Sequence, residues 1–428
     1  MGTRGATSRR GRPRRRTTRT EHASSSGGAI LPLMSVIDGT ARSSAHVLIV
    51  GGGGTGGALA HDLTLRGLRV TLVERGEFTS GTTGRHHGLL HSGARYAVDD
   101  HESAVECIEE NTILRRIAPG SFEENDGLFV AVDDEDMAYL DDFLAGCAAS
   151  GIPTQQLTPA QALRLEPGLN PDLRAAVRVP DATMDAMRMP LRFFATAKHH
   201  GATLLNHVRV TSLLMSGGTV TGAEVRDLVT GKDARIEADL TVNATGPWSE
   251  QIARMAGVDV PIRPSPGVML AVRGRLCSMV VNRLHHSGDG DIVVPQRALS
   301  VVGTSSWVVE DPDDLAVPQD HVRRMIEEGA KLVPAVRGAA FRAAWSAARP
   351  LIGSRDADSG RELSRTFKTI DHAPEGVKGF VTITGGKATT LRGMAEVCAN
   401  EVCRKLGIDA TCRTREFQLL PHTAYYAA

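Results

Sequence analysis

Hydrophobic residues gather into short runs that are separated by glycine-rich or polar turns. The run from His46 to Val50 predicts a buried strand, and Ala58 to Arg66 predicts a helix. Arg69 to Val73 then predicts a second strand, which ends at Glu74. Strand, helix and strand in this order are typical of a parallel sheet whose connections are helical.

The middle of the chain is richer in strands. The pattern predicts a helix from about Glu102 to Ile117 and a strand from Gly127 to Val132. Thr158, Pro159 and Gln161 supply the cap, first-turn proline and capping-box partner of another helix. Further strand-like runs lie at Thr203 to Leu214, Thr219 to Val225, Leu240 to Ala244, and in short antiparallel pieces within Gly267 to Gly303.

Late in the chain, "GFVTITGGKATTLRGMAEVCANEVCRKLG" again predicts a strand, a Gly-Gly turn and a helix. Two glycine-rich strand-to-helix turns, one at each end of the chain, indicate a nucleotide-binding domain assembled from separated segments. We therefore predict an α/β fold, α+β overall, with a Rossmann-like domain and an inserted antiparallel-sheet substrate domain. A long cofactor, held at its pyrophosphate by the first turn and at its ring by the last, would use both turns.

The first turn carries a dinucleotide-binding fingerprint. Gly51, Gly53 and Gly56 form GxGxxG between the first strand and the helix. These glycines permit a tight turn, close approach of a pyrophosphate and close helix packing, and the helix N-terminus favours the phosphates. Glu74, about 20 residues further on, is placed to accept hydrogen bonds from the adenosine ribose. This fingerprint alone does not separate NAD from FAD.

Composition and charge narrow the class of protein. The chain has 428 residues, 41% of them hydrophobic, and a formal net charge of +0, which is typical of a globular protein with sizeable cores. Residues 1–44 are interpreted as a disordered basic tail, because eight arginines and no acid lie within Met1 to Thr20. A nucleic-acid or anionic-lipid contact, a targeting peptide and a true start at Met34 are the other interpretations of this tail.

Cysteines and hydropathy point to a reduced compartment. Six cysteines are scattered without a CxxC pair, so neither a disulfide framework nor an iron–sulfur ligand set is predicted. Cys398 and Cys403 fit buried small residues better than ligands. No apolar run approaches the roughly 20 residues that span a bilayer. We expect a cytoplasmic protein, with at most a peripheral position on the inner face of the cell membrane, and no metal site.

Polar and basic residues are concentrated in "RHHGLLHSGARY", Arg85 to Tyr96, which has three histidines, two arginines and only two leucines. Together with "VGGGGTGGALAHDLTLRGLRVTLVERG", "VNATGPW", "ARPL" and "TITGGKATTLRGMAE", this stretch resembles the FAD-dependent glycerol-3-phosphate dehydrogenases of the D-amino-acid-oxidase-like superfamily. The flavoprotein subunit of the anaerobic bacterial type is the nearest branch. The resemblance covers about His46 to Gly407 and implies FAD as the cofactor.

The resemblance implies a set of cofactor contacts. Val210 matches the position whose backbone meets the adenine, and Gly246 matches the "ATG" turn near the pyrophosphate. The final turn, whose helix N-terminus faces the flavin pyrimidine, would stabilise an anionic reduced flavin. The full set of expected FAD-binding residues is Gly51, Gly53, Gly56, Glu74, Gly88, Val210, Gly246, Gly385, Gly386, Lys387 and Thr389.

The resemblance also implies a substrate site. Arg95, Arg349, Arg365 and Lys387 would form a cationic cluster over the flavin that receives a phosphate dianion, which arginine meets in bidentate fashion. The expected reaction oxidises sn-glycerol 3-phosphate to dihydroxyacetone phosphate by hydride transfer from C2 to flavin N5. His91 and His87 are the candidate bases, beside Arg349 and Lys387 as catalytic residues, although such a histidine can instead hydrogen-bond the flavin.

Two positions depart from the family pattern. Pro266 stands where many members have lysine, and Met269 stands where aerobic members have histidine. From the residues up to "LLPHTAYYAA" we expect neither the extra helical domain of aerobic members nor the cysteine-bearing domain of anaerobic ones. A 2-hydroxy acid or amine, with its carboxylate clamped by the arginines, is therefore the alternative substrate. A non-enzymatic or nucleic-acid-directed flavoprotein is the third hypothesis.

Domains and partners follow from the same reasoning. We assign residues 45–100, 175–250 and 370–410 to the FAD-binding domain, 101–174 and 251–369 to the substrate domain, and 411–428 to a C-terminal tail. The expected partners are a small phosphorylated polyol and an electron-accepting subunit or membrane quinone, because one fingerprint serves one dinucleotide. No nucleic acid is expected, and a homo-oligomer is left open.

Overall fold

The computed structural model describes residues 2, 45–353 and 366–427. The predicted basic tail in residues 1–44 therefore lies almost wholly outside the described residues, and Arg365 lies outside them too. The helices in this part of the chain are α1 (Gly54–Leu65), α2 (His101–Ile117), α3 (Asp134–Ala149), α4 (Pro159–Leu165), α5 (Arg188–His199), α6 (Ser249–Arg254), α7 (Gln319–Leu332) and α8 (Leu391–Leu406).

The strands divide into two large sheets, a three-stranded meander and a small three-stranded sheet. They are β1 (His46–Val50), β2 (Arg69–Val73), β3 (Leu89–Leu90), β4 (Phe122–Glu123), β5 (Gly127–Ala131), β6 (Gln155–Leu157), β7 (Ala175–Val179), β8 (Ala182–Met184), β9 (Thr203–Leu205), β10 (Val208–Ser216), β11 (Thr219–Asp227), β12 (Asp233–Glu237), β13 (Leu240–Asn243), β14 (Ile262–Arg273), β15 (Val280–Arg283), β16 (Ile292–Gln296), β17 (Leu299–Gly303), β18 (Phe341–Ile352), β19 (Phe367–Asp371) and β20 (Phe380–Gly385).

The first large sheet has six strands in the order β19-β20-β13-β1-β2-β9. All its neighbouring strands pair in parallel except β19 and β20, which pair antiparallel. The chain leaves β1 through α1 towards β2 on one side, while β13 pairs with β1 on the other side. Such a change of direction at the carboxyl ends of parallel strands opens a crevice, and ligands bind there in α/β sheets.

Helices cover the six-stranded sheet and complete its core. Leu59 and Leu63 of α1, Phe193 and Phe194 of α5, and residues of α8 share one buried cluster with β1 and β2. Cys398 and Cys403 of α8 belong to this cluster and are buried. A parallel sheet needs apolar cover on its faces, and this packing supplies it.

The second large sheet has eight strands in the order β18-β14-β17-β16-β15-β5-β7-β6. Its pairs are antiparallel except β15 with β5. One face packs under α7, where Met325, Ala330 and Leu332 join a buried cluster with Val268 and Leu270 of β14. Long β14 and β18 pair along most of their length and carry Arg349 towards the first sheet.

The sheets divide the chain at slightly different residues from our domain assignment. Strand β7 pairs with β5 and β6 in the eight-stranded sheet, although the sequence-based assignment puts residues 175–250 in the FAD-binding domain. Strand β19 begins at Phe367 in the six-stranded sheet, inside the segment 251–369. By pairing, β7 thus joins the eight-stranded sheet and β19 joins the six-stranded sheet, while the domain boundaries stay a prediction. No helix in the described ranges is long and apolar enough to cross a membrane.

Candidate active site

One cavity of about 760 Å³ opens at the carboxyl ends of the parallel strands. It is bounded by the turns after β1, β2, β13 and β20 and by the end of β18. Most of the expected site residues line it: Gly51, Gly53, Glu74, His87, His91, Val210, Gly246, Arg349, Gly385, Gly386, Lys387 and Thr389. A volume of this size is in the range of ligand and cofactor sites.

The first glycine turn is shaped for close approach. Gly51 has φ +112°, and a Cβ on it would lie 2.6 Å from the Ala244 carbonyl oxygen. A Cβ on Gly56 would overlap the Gly51 carbonyl oxygen, so Gly56 is needed for packing of α1 against the turn and does not itself line the cavity. The N-terminus of α1 therefore faces the cavity with backbone N–H groups that have no partner one turn earlier in the helix.

The Glu74 carboxylate is held at the edge of the cavity by two backbone donors. Its Oε2 accepts a 2.7 Å hydrogen bond from Gly52 N–H, and its Oε1 accepts one of the same length from Gly76 N–H. Both bonds lock the side chain beside the first turn. The remaining acceptor capacity of the carboxylate suits the two hydroxyls of a ribose.

Two buried donors line the cavity with no hydrogen-bond partner among the described residues, namely Trp248 Nε1 and His86 Nε2. Buried polar atoms in proteins are normally paired, so both atoms are available to a bound molecule. Val210 and Gly246 line the same cavity, and Gly246 adopts φ +58°. Glycine turns, ribose acceptor and orphan donors together fit an FAD-sized dinucleotide.

The last glycine turn joins the histidine-rich stretch. Gly385 and Gly386 both have positive φ, and a Cβ on Gly386 would overlap the Met394 sulfur. Thr389 Oγ1 accepts a 3.1 Å hydrogen bond from His91 N–H. The Asn111 side-chain amide donates to the His91 carbonyl oxygen at 3.0 Å. His91 is thus fixed on both sides of its backbone.

Three histidines, His86, His87 and His91, lie together along the cavity. The rings of His87 and His91 are 6.0 Å apart, and the His91 ring is 5.5 Å from Tyr96. Burial lowers the pKa of His86 to about 4, and burial, reinforced by neighbouring positive charge, lowers the pKa of His87 well below its ordinary value. His87 Nδ1 accepts a 3.3 Å hydrogen bond from Leu89 N–H, so its proton resides on Nε2 when the ring is neutral. His87 is therefore a hydrogen-bond donor to the cavity.

Lys387 brings a buried positive charge to this end of the cavity. Its side chain is 7% exposed, and Nζ donates a 3.0 Å hydrogen bond to Ser103 Oγ. Nζ also lies 3.6 Å from Glu106 Oε2 and 5.2 Å above the Tyr96 ring. The ammonium is thus held by the first two turns of α2.

Arg349 brings the second positive charge, from the end of β18. Its Nη1 donates to the carbonyl oxygens of Ser265 and Pro266, both at 3.3 Å. Its Nη2 donates to the Ser305 carbonyl oxygen at 3.2 Å and to Thr304 Oγ1. These acceptors orient the guanidinium beside the cavity, while Met269 is buried in a small cluster nearby.

Three of the expected site residues in the described ranges do not line the cavity: Gly56, whose packing is given above, Arg95 and Gly88. Arg95 forms a buried ion pair with Asp291, at 2.8 Å from both carboxylate oxygens, and does not line the cavity. Gly88 has φ +85° and packs against Gln296 and the Met184 carbonyl oxygen. Tyr96, Trp248, Ser103 and Glu106 complete the surroundings without having been singled out from the sequence. Tyr96 and Trp248 stood in quoted motifs, whereas no pattern marks Glu106.

Comparisons with known proteins agree with this geometry. A family model described as FAD dependent oxidoreductase matches residues 46–400. An anaerobic glycerol-3-phosphate dehydrogenase subunit of Escherichia coli (strain K12) is 43% identical over 379 residues, which cover 88% of this chain and 70% of that protein. The corresponding subunit of Haloferax volcanii is 44% identical over 388 residues, covering 88% of this chain and 66% of that protein.

A solved structure shows the same fold. The glycerol-3-phosphate dehydrogenase from Bacillus halodurans complexed with FAD superposes with a TM-score of 0.71 and 23% sequence identity, covering 90% of this chain and 70% of that one. At this identity the likeness concerns the fold alone. The crevice at the glycine turns is where sheets of this kind bind dinucleotides.

Proposed function

This chain belongs to the FAD-dependent oxidoreductases, and from that membership we propose that it oxidises sn-glycerol 3-phosphate to dihydroxyacetone phosphate. The observation that carries the proposal is the cavity in which the dinucleotide fingerprint, His91, the half-buried Arg349 and the buried Lys387 side chain meet. We infer the identity of the substrate from the similarity to relatives that are named glycerol-3-phosphate dehydrogenase.

FAD would be held at both ends of the cavity. The turn Gly51 to Gly56 and the N-terminus of α1 would bind its pyrophosphate, and Glu74 its ribose. Gly385 to Thr389 would hold the other end. When bound, FAD supplies the two-electron acceptor, whose flavin N5 receives the hydride from C2 of the substrate.

His91 would take the proton. Oxidation of a secondary alcohol requires the C2 hydroxyl to lose its proton while C2 loses hydride, and a neutral imidazole accepts that proton near neutral pH. His87 is less suited, because its Nδ1 already accepts the Leu89 N–H and burial keeps its pKa low. We assign His91 as the base and His87 as a neutral donor that orients the substrate oxygen from Nε2.

Arg349 and Lys387 would bind the phosphate. Both carry positive charge into a partly buried site, where a dianion gains more from charge-assisted hydrogen bonds than it does at a surface. Arg365 remains a further candidate on the family pattern. Arg95 contributes less directly, since Asp291 already occupies its guanidinium.

Electrons would leave the reduced enzyme to a quinone or to a partner subunit. The relatives are themselves named as subunits, and the one dinucleotide fingerprint of the sequence would be taken by FAD rather than NAD. Anaerobic stopped-flow distinguishes the acceptors: reoxidation by quinone analogues and not by NAD supports this part of the proposal, and the reverse result contradicts it.

The substrate is tested by anaerobic absorbance at the flavin band. We expect glycerol 3-phosphate to bleach the flavin. Glycerol and 2-hydroxyglutarate should both leave the flavin oxidised. Arg349→Ala should raise the half-saturating concentration of glycerol 3-phosphate by roughly 10- to 100-fold, the cost of one charge-assisted bond to an anion. Arg342→Ala, an exposed change on the same strand, is the matched control. Bleaching by 2-hydroxyglutarate that inorganic phosphate does not inhibit would favour the hydroxy-acid alternative.

A further inference from the structure

The Lys387 ammonium has a carboxylate partner outside the cavity. Glu106 Oε2 lies 3.6 Å from Lys387 Nζ, close enough for an ion pair and just beyond hydrogen-bond distance. The Glu106 side chain is 23% exposed, whereas that of Lys387 is 7% exposed. The carboxylate therefore acts on the buried lysine mainly through its charge, from the rear of the site.

Ser103, one turn before Glu106 on the same face of α2, also contacts the Lys387 ammonium. Its Oγ accepts the 3.0 Å hydrogen bond from Lys387 Nζ and in turn donates 2.8 Å to Asp100 Oδ2. Residues 103 and 106 are three positions apart, which brings their side chains to one face of a helix. A single helical surface thus holds the lysine from behind.

We infer that Glu106 is the counter-ion and positioning residue of Lys387, and that it limits how much positive charge the active-site cavity presents to the cofactor and to an anionic substrate. The inference rests on the proposed function in so far as Lys387 faces flavin and phosphate. Lys387, His91 and Tyr96 all line the cavity, so a change in the net charge at Lys387 acts on whatever is bound there.

The physical consequence concerns the energy of negative charge in the cavity. The negative charge of Glu106 offsets part of the positive charge of Lys387, so neutralising Glu106 makes the cavity more positive. Burial raises the pKa of Glu106, and the Lys387 ammonium opposes that rise. A reduced flavin that carries negative charge would be stabilised more strongly once Glu106 is neutral.

The first test is the midpoint potential of the FAD-loaded full chain, measured by stepwise chemical reduction with reference dyes at fixed pH. We expect Glu106→Gln to shift the potential to more positive values and Lys387→Met to shift it to more negative values. Glu106→Asp, which keeps the charge, should stay near the wild type. Glu102→Gln removes an exposed carboxylate four residues earlier on α2, which acts on the site only through Glu106, and should shift the potential much less than Glu106→Gln.

The second test uses inorganic phosphate as the probe, added to the oxidised protein and followed by the perturbation of the flavin spectrum. Glu106→Gln should tighten phosphate binding by about tenfold relative to Glu102→Gln, because loss of one negative charge beside Lys387 makes the cavity more attractive to an anion. If no variant binds phosphate, the proposed substrate class fails while the redox result stands. Equal midpoint potentials for Glu106→Gln, Glu106→Asp and the wild type would overturn the inference.

Discussion

Gly267 lies directly against the guanidinium of Arg349. A Cβ on Gly267 would stand 2.5 Å from Arg349 Nη2 and 2.5 Å from the Ser305 carbonyl oxygen. Both residues belong to paired strands, with Gly267 on β14 opposite Ala347 and Ser265 opposite Arg349. The absence of a side chain at one position therefore sets the orientation of the cation at the other.

Gly267→Ala should displace the Arg349 guanidinium and weaken binding of the phosphorylated substrate. A contact of 2.5 Å is too short for a methyl group, and the arginine can move more easily than the Ser305 backbone. We expect the KM for glycerol 3-phosphate to rise about tenfold or more, the cost of one weakened charge-assisted bond, with the FAD content unchanged. Gly338→Ala, where a Cβ meets nothing within 4 Å, is the control. An unchanged KM in Gly267→Ala would show that Arg349 does not bind the phosphate.

Arg95→Met should act on stability before it acts on substrate binding. Asp291 is 1% exposed and pairs with Arg95, which is 11% exposed, so the substitution leaves a buried carboxylate without its partner. Losing one member of a buried pair costs about 3–5 kcal/mol in the free energy of unfolding. Urea denaturation measures this loss, and the double variant Arg95→Met with Asp291→Asn should recover part of it. If Arg95→Met instead raises the KM for glycerol 3-phosphate and leaves the free energy of unfolding unchanged, Arg95 binds the phosphate.

Glu74→Gln should weaken FAD binding. The carboxylate accepts hydrogen bonds from Gly52 N–H and Gly76 N–H, whereas a glutamine would turn its NH₂ group towards one of these donors. We expect the Kd for FAD to rise by roughly tenfold or more, because a charged acceptor of the ribose is lost as well. Titration of the apoprotein with FAD, followed by fluorescence quenching, gives this value. Glu77→Gln, a change three residues away whose partners are His207 and Asn206, should leave it unchanged.

Local patterns predicted the first part of the fold well. β1 and β2 lie at the predicted residues, because short apolar runs bounded by glycine and charge leave few alternatives. The capping box at Thr158 was confirmed, since both of its hydrogen bonds depend on residues three apart. The predicted strand from Thr203 to Leu214 instead divides into β9 and β10 at His207, which has φ +55°. Nothing in the alternation of side chains marks that break.

Long-range contacts could not be predicted from the sequence. The sequence patterns did not predict helix α3 or the long strand β18. Strand β5 pairs in parallel with β15, which lies about 150 residues further along the chain. The ion pair of Arg95 with Asp291 and that of Lys387 with Glu106 join residues far apart in the chain. Charged residues in loops and on amphipathic helices look alike before their partners are known. The motif glycines were predictable because the backbone itself requires them.

His61 should make the protein less stable in mild acid. The ring is 0% exposed, neither nitrogen has a hydrogen-bond partner among the described residues, and Phe193 and Phe417 each lie 5.8 Å from it. Burial, with a smaller contribution from His200, lowers the pKa of His61 to about 3 from an ordinary value of 6.5. Between these two pKa values, His61 binds a proton in the unfolded chain and stays neutral in the folded chain. Its effect on the free energy of unfolding is therefore absent above pH 6.5, and the free energy of unfolding decreases as the pH drops from 6.5 towards 3.

In His61→Phe, neither the folded nor the unfolded chain can bind a proton at position 61, while an aromatic ring still lies between Phe193 and Phe417. Each such group contributes a slope of up to about 1.4 kcal/mol per pH unit below its unfolded pKa. The free energy of unfolding is measured in urea at about pH 7.5, 6 and 5. Between about pH 6 and 5, we expect it to decrease by about 1 kcal/mol less in the variant than in the wild type. His61→Leu serves if phenylalanine overpacks the site, and His199→Gln, an exposed change on α5, should keep the wild-type slope. Because His86 and His87 are also buried with lowered pKa values, part of the slope must remain. A slope identical to the wild type would mean that His61 is protonated in the folded protein, which its apolar surroundings oppose.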